Sequence, residues 1–485
     1  MARPRFSVAA AAAAAAAIAA AAAAAGVATG AAADTPMTDA DTLDALRRYL
    51  RIRTDHPLPD YAGAVGYLRT LCTRAGMTSV THTLVAAKPI LLCTRSGTAT
   101  EGGGEGGGAR GVLLNSHTDV VPAEAAKWSV PPFAAAELNG SIYARGVQDM
   151  KTIGIQYIAA VSRLPPLPRP IYLSFVPDEE IGGIDGMGAL VDSLHFPPLR
   201  VGVALDEGLP TPTSRLRLFT GERQPWWVSI RVTGSPGHGA TLPPSTAAGR
   251  LGAVLAAVAA YRGEQATRMG PPVKASLGEV VGVNVVYLNA GVANPAVPAG
   301  YAMNMIPSSA EAGLDVRVPP TVAAADVEAA ILRWLSAGCI NGATASLPGG
   351  GTQPPMFEWA TVCPGLSFRY THKVDVPVVS SLAAADSGAF APALTGALDA
   401  AGVAWDEDIF PAATDARFLR DRGVPVYGMS VMTATPELLH THDERLAIAA
   451  VADGVRVYEA VVGALAAVPL TAADGKEGGA DHSEL

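Results

Sequence analysis

The sequence predicts an α/β protein: a mostly parallel sheet covered by helices, interrupted by a separate α+β unit. Three observations predict it. Short apolar runs of strand length, "GVLLNSHTDVV", "IYLSFVPD" and "VGVALDEG", alternate with helical segments between Gly111 and Gly208, the pattern of parallel strands joined by crossover helices. The character changes near Glu222, where "PWWVSIRVTGS" alternates as a half-exposed antiparallel strand does. The 485 residues are 49% hydrophobic, with 51 Gly and 38 Pro, enough chain for two or three domains with a full core.

Taken in order, residues 1–34 form an alanine-rich leader. Arg3 and Arg5 precede a poly-Ala run broken by Ile18, and a small-residue exit follows. That layout resembles a secretory signal, although alanine is too weakly apolar for a stable membrane span. "DADTLDALRRYLRI" and "YAGAVGYLRTLCTRAG" read as helices, the first capped by Asp39 or Asp41 and the second stopped by Gly76. "SVTHTLVAAKPILLCTR" reads as paired strands. Residues 97–110 are a flexible glycine loop, which lacks the lysine ending of a phosphate cradle. "MKTIGIQYIAAVSRL" reads as an amphipathic helix and "GMGALVDSL" as another. The first part of the main domain thus spans 35–223. An inserted unit spans 224–373, with helices at "STAAGRLGAVLAAVAAYRG" and "TVAAADVEAAILRWLSAG" among strands at "GVNVVYLNAG", "EAGLDVRVPP" and "LSFRYTHKV". The α/β character resumes over 374–470, with "VPVYGMSV" as a strand and a last helix from about Glu444 to Ala466. A polar tail, 471–485, ends in "HSEL", a loose likeness of an ER-retention tetrapeptide.

The net charge is −9 and no long basic run exists, which excludes nucleic acid as the expected partner. Cys72, Cys93, Cys339 and Cys363 are widely separated and form no CxxC pair. Buried free thiols are therefore expected, rather than a disulfide framework or a thiolate zinc site.

Polar residues gather where predicted strands end, which is where open α/β sheets hold their ligands. His117 and Asp119 stand in "NSHTDVV", Asp149 in "ARGVQDMK", Glu179 and Glu180 in "VPDEEIGG", Asp206 and Glu207 in "ALDEG", and His440 and His442 in "LLHTHDERL". Singly, each reads as a structural histidine, a helix cap or a solvated acid. Together they converge on one sheet edge, and converging carboxylates repel unless a cation neutralises them. Mixed histidine and carboxylate ligands suit zinc.

These segments, with "PWWV", "PGHGA" and "PAATDARFLR", stand in an order that resembles the zinc-dependent aminoacylase/carboxypeptidase family of metallopeptidases over about residues 38 to 468. The resemblance implies a zinc-peptidase catalytic domain with an inserted ferredoxin-like lid that serves dimerisation. It implies two zinc ions per subunit: His117, Asp149 and Glu207 on one, and Asp149, Glu180 and His440 on the other. Asp119 would orient the His117 imidazole, and Glu179 would be the general base. His238 would reach across from a partner subunit to the oxyanion. Asn304 and Arg317 would bind the substrate carboxylate, and Thr414 and Asp415 would line the pocket. Trp226 and Trp227 read as packing residues, one on each face of their strand. The implied activity is hydrolysis of N-acyl-L-amino acids by a cytoplasmic homodimer. Alternatives are a dipeptidase or acetylornithine-type deacylase, a catalytically silent binding protein, and a secretory or ER location.

Overall fold

A computed structural model describes residues 36–99, 109–271, 273–347, 356–374, 379–383 and 388–471. The leader, the glycine-rich part of the 97–110 loop and the end of the polar tail lie outside the described residues.

Helix α1 (Asp39–Arg51) is capped by Thr38, whose hydroxyl accepts from the Asp41 N–H while the Asp41 carboxylate accepts from the Thr38 N–H. Asp41 is thus the reciprocal half of a capping box rather than the cap itself. Asp60 caps α2 (Tyr61–Arg74), and Gly76 follows with φ 73°. A hairpin of β1 (Thr78–Val85) and β2 (Lys88–Arg95) leads to β3 (Gly111–His117), β4 (Ala136–Leu138), β5 (Ser141–Tyr143), α3 (Lys151–Arg163) and β6 (Ile171–Val176). Then come α4 (Ala189–Asp192), β7 (Val201–Asp206) and β8 (Leu216–Glu222).

A second unit follows. It comprises β9 (Gln224–Thr233), β10 (Gly237–His238), α5 (Ala247–Met269), β11 (Gly282–Ala290), β12 (Met305–Ile306), β13 (Ser309–Val318), α6 (Ala324–Ser336), β14 (Ala360–Cys363) and β15 (Leu366–Lys373). The chain returns through α7 (Phe390–Ala400), β16 (Trp405–Phe410), α8 (Ala416–Asp421), β17 (Val426–Met429), β18 (Arg445–Ala447) and α9 (Ile448–Ala467).

The main sheet has the order β1-β2-β6-β3-β7-β17-β8-β16. Its centre, β6-β3-β7-β17, is parallel. Every residue of β3 is buried, as expected of a strand covered on both faces. Val112 and Leu114 point into the core beneath α1, α2, α3, α7 and α9, whereas Leu113 joins the opposite cluster with Leu190 of α4 and Leu419 of α8. The second sheet, β11-β13-β9-β15-β14, is antiparallel throughout. One face of it packs on α5 and α6 through Trp226, Val228, Leu314, Val254 and Ile331.

Three expectations are corrected. Helix α3 is buried all round from Lys151 to Val161 rather than amphipathic, because α9 and α1 cover the side away from the sheet. Its Lys151 donates to the carbonyls of Tyr49 and Ile52, and burial pushes its ammonium down to about 7. The "GMGALVDSL" segment is a wide turn over Ile184–Gly188 and only four residues of α-helix, since Gly186 leaves the helical dihedral region. Finally, the cysteines are not free thiols: Cys72 bonds Cys93 and Cys339 bonds Cys363. Linear separation hid this pairing, because the first bridge joins α2 to the strand it packs on and the second closes the edge of the smaller sheet.

Candidate metal centre

Since β6, β3 and β7 are parallel neighbours, their C-terminal ends open on one edge. His117 ends β3, Glu179 and Glu180 follow β6, and Glu207 follows β7. Asp149 comes from the loop before α3, and His440 from the loop before β18. Nε2 of His117 lies 3.0 Å from Asp149 Oδ1, and Nε2 of His440 lies 3.1 Å from Asp149 Oδ2. One carboxylate therefore stands between two imidazoles. His440 Nε2 is also 3.1 Å from Glu180 Oε2, and His117 Nε2 is 4.0 Å from Glu207 Oε2. Ligand atoms of His117, Asp149 and Glu180 lie within 4.8 Å of one another, as do those of His117, Glu179 and Glu207.

Burial raises the carboxyl groups of Glu179 and Glu207 well above the usual range, and neighbouring carboxylates add to the rise. Glu180 is raised by burial and by Asp149. Asp149 and Glu180 in turn push the His440 imidazole up to about 10. These are the signs of negative charge gathered in a poorly solvated place. Two imidazole nitrogens among carboxylate oxygens at this spacing form a donor set that can hold divalent metal.

Asp119 meets the His117 imidazole first through its backbone. Nδ1 of His117 faces the backbone oxygen of Asp119 at 3.0 Å, while the nearest carboxylate oxygen is 3.7 Å away. The strand has ended at His117, so the alternation that would align the two side chains is lost. With a carbonyl as its partner, Nδ1 carries the proton, which leaves the Nε2 lone pair for a metal. The Asp119 carboxylate instead accepts from the N–H groups of Glu179 at 3.2 Å and Glu180 at 3.1 Å, and bonds His56 Nε2 at 2.9 Å. His56 had no signal in the sequence: it lies 63 residues from Asp119 in an unremarked loop.

The turn carrying the two glutamates is held at both ends. Asp178 sits at φ 66°, a region that disfavours side chains. Tyr61 donates its hydroxyl to Asp178 Oδ1 at 2.5 Å and accepts from the Asp178 N–H at 3.1 Å, and Lys88 pairs with the same carboxylate. Gly182 at φ 112° and Gly183 at φ 63° complete the tight turn expected of them. The loops of Asp149 and His440 are joined by Glu444, fully buried, whose carboxylate accepts from Arg145 Nη1, Gly146 N and Gln148 N at 2.7, 3.1 and 2.7 Å. The run "HTHDE" carried that signal through the position of Glu444, four residues after His440.

A cleft of about 390 Å³ opens from Glu179, Glu180 and His440 toward the second sheet, where Trp227, Arg317 and His372 line it. Arg317 there makes a two-pronged pair with Asp315 at 2.9 and 3.0 Å. Trp226 is buried in the core of the second unit, and Trp227 faces the cleft, 47% exposed, with its ring 4.9 Å from that of His372. Thr414 and Asp415 are buried behind the wall formed by Ala412 and Ala413. Thr414 donates its hydroxyl to Glu222 at 2.7 Å, and Asn115 joins Asp415 to Asp206. His238 and Asn304 lie together on the exposed side of the second unit, where Gly239 N donates to Asn304 O at 2.7 Å. Neither lines the cleft among the described residues.

Comparison with known proteins bears on this site. The profile of Peptidase family M20/M25/M40 matches residues 113–464. Aminoacylase-1 of Mus musculus is 36% identical over 439 residues, covering 90% of this chain and 97% of its own. Aminoacylase-1 of Sus scrofa is 37% identical over 429 residues, covering 87% and 95%. Among solved structures, human carnosine dipeptidase 1 shares the fold at a TM-score of 0.57 and 14% identity, over 88% of this chain and 97% of that one. A dinuclear metal-binding M20 peptidase of Bacillus subtilis does so at 0.56 and 13%, over 87% and 96%. With a metal-capable set of carboxylates and histidines at the mouth of a sheet of this architecture, the chain belongs to Peptidase family M20/M25/M40 and is a metal-dependent amidohydrolase of the aminoacylase type.

Proposed function

We propose that this enzyme releases the acyl group from N-acyl-L-amino acids at a centre of two zinc ions. The observation that carries the reading is the Asp149 carboxylate, with one oxygen turned to each of His117 and His440. Asp149 would bridge the two ions, His117 and Glu207 would complete one ligand set, and Glu180 and His440 the other. When bound, such ions supply Lewis acidity toward a carbonyl oxygen and lower the pKa of water. Glu179 does the proton work: its carboxylate, within reach of His117 and Glu207, accepts a proton from the attacking water and delivers it to the leaving amine nitrogen. Arg317 holds the substrate carboxylate, with Asp315 keeping the guanidinium fork in plane.

The same reading makes the enzyme a homodimer through the second unit. His238 and Asn304 are exposed and away from the cleft of their own chain, as residues serving a partner's site would be. β11 is an edge strand of the sheet and carries exposed Val285, Val286 and Leu288, an open edge that soluble proteins ordinarily cover. For location, no helix among the described residues is long and apolar enough to cross a membrane. The two disulfides favour an oxidising compartment over the cytoplasm that the resemblance implies, since thiols stay reduced in the cytosol. The basic, alanine-rich leader agrees with that route.

Four measurements test these readings. Hydrolysis of N-acetylmethionine by zinc-loaded protein is expected, and Glu179→Gln should lower turnover by about a hundred- to ten-thousand-fold while metal content stays unchanged; loss of metal would mean that Glu179 is a ligand. His56→Ala should weaken zinc binding by about ten- to a hundred-fold in a chelator competition, because the Asp119 carboxylate that braces the Glu179–Glu180 turn loses its partner; unchanged affinity would remove His56 from the site. Mixing His238→Ala with Glu179→Gln protein should restore activity, since one composite site then has both residues. A fully active monomer in sedimentation would reject the dimer. Lastly, protein from its own cells should show no reactive thiol before reduction, and an internally tagged form should lose its secretory distribution when residues 1–33 are deleted. Four free thiols and a diffuse cytoplasmic signal would overturn the compartment.

A further inference from the structure

The catalytic cleft does not end at Trp227. A second hollow of about 340 Å³ shares the Trp227 ring and continues over the open face of the second sheet, toward Val286 and Tyr287. Its floor exists because of one residue. Along β13, Arg317, Asp315 and Gly313 occupy alternate positions and so share a face. At Gly313 there is no side chain, and the Tyr287 ring lies where a Cβ would stand. β9 places Trp227 opposite Asp315 and Ser229 opposite Gly313, so that Trp227 stands between the Arg317 end and the hollow. A bulge in β15 inserts Thr371 and sets His372 against Trp227. The result is two adjoining spaces that meet at Trp227: the cleft, where Arg317 and His372 line the wall, and the hollow beyond, which Tyr287 walls.

We propose that Trp227, His372 and Tyr287 form a specificity pocket for an aromatic side chain on the amino-acid part of the substrate. The inference rests on the aminoacylase reading above: Trp227 lines the same cleft as Arg317, so a carboxylate held on Arg317 brings the side chain of the same α-carbon within reach of the Trp227 ring. Three features match an aromatic occupant. Trp227 and His372 are tilted at 41° with centroids 4.9 Å apart, within the spacing at which rings add a third by edge or offset contact. Trp227 and Tyr287 are 47% and 43% exposed, so both have apolar area to give up on binding. The charge that lines the hollow, Asp315, is paired through Nε and Nη2 of Arg317, which leaves Nη1 for the substrate carboxylate; an aromatic ring in the hollow disturbs neither contact.

The test compares kcat/KM for N-acetylphenylalanine and N-acetylalanine with the zinc-loaded full chain. The unmodified enzyme is expected to favour N-acetylphenylalanine by about tenfold or more, the discrimination that a hydrophobic pocket gives for a few carbon atoms. Trp227→Ala should reduce the ratio about tenfold, chiefly through KM for N-acetylphenylalanine. Tyr287→Ala should reduce it about threefold, and Trp227→Phe should keep most of it, which separates a ring contact from a structural role. Hydrolysis of both substrates with a ratio near one, or a ratio unmoved by Trp227→Ala and Tyr287→Ala, would overturn the pocket while leaving the aminoacylase reading intact. Hydrolysis of neither would overturn that reading and the pocket with it.

Discussion

The buried like charge at the edge of β6, β3 and β7 is the constraint on which the rest depends. Glu179 with Glu207, and Asp149 with Glu180, are brought within 4.8 Å of one another around His117, in a place that solvates them poorly. Left alone, such a set neutralises itself by taking up protons, as the raised carboxyl groups of Glu179 and Glu207 show. The architecture makes sense if it is built to hold these groups apart from water until a cation takes their charge. The cost is met by the most thoroughly packed part of the molecule: β3 is buried at every position, and α3 behind it is buried on all sides.

Holding the charged groups in place falls to residues that never face the ligand position. Asp119 ties the amides of Glu179 and Glu180 to His56. Tyr61 and Lys88 fix Asp178 in a left-handed conformation that starts the turn. Glu444 and Gln148 join two loops nearly 300 residues apart in sequence, with Gln148 bonding both to the Pro436 and Arg445 carbonyls and to the Leu438 N–H. An arrangement whose supports are themselves hydrogen-bonded resists the collapse that mutual repulsion would otherwise drive.

What the sequence discloses follows from which forces are local. The central strands announce themselves because a doubly covered strand must be apolar throughout, and the functional acids stand out because they interrupt such runs. Strands β8 and β16 went unseen: β16 reads "WDEDIF", with three acids in six residues, since an edge strand with solvated positions need not look apolar. The burial of α3 was equally hidden, because its second cover, α9, lies nearly 300 residues away. His56 and the two disulfides share that cause: each is a contact made by tertiary packing between residues with no local pattern. Alternation put Trp226 and Trp227 on opposite faces of their strand and read both as packing residues; Trp226 packs, but the fold turns Trp227 toward a cleft.

The two sheets are joined by a short and well-anchored connection, and this bears on how the cleft keeps its shape. Only Arg223 separates β8 from β9. Its guanidinium donates to the carbonyls of Pro411 and Val280, and burial pushes it down to about 10. Glu222, just before it, accepts from Thr414 and pairs with Arg420, both fully enclosed. The strand that carries Trp227 and the loop that carries Ala412 and Ala413 thus hang from neighbouring points of one buried network. Displacing the second sheet relative to the metal-capable edge would break hydrogen bonds to charged groups, each worth about 1.5–3 kcal/mol. These links anchor the start of the strand that carries Trp227 beside the loop that carries Ala412 and Ala413, on opposite sides of the same cleft.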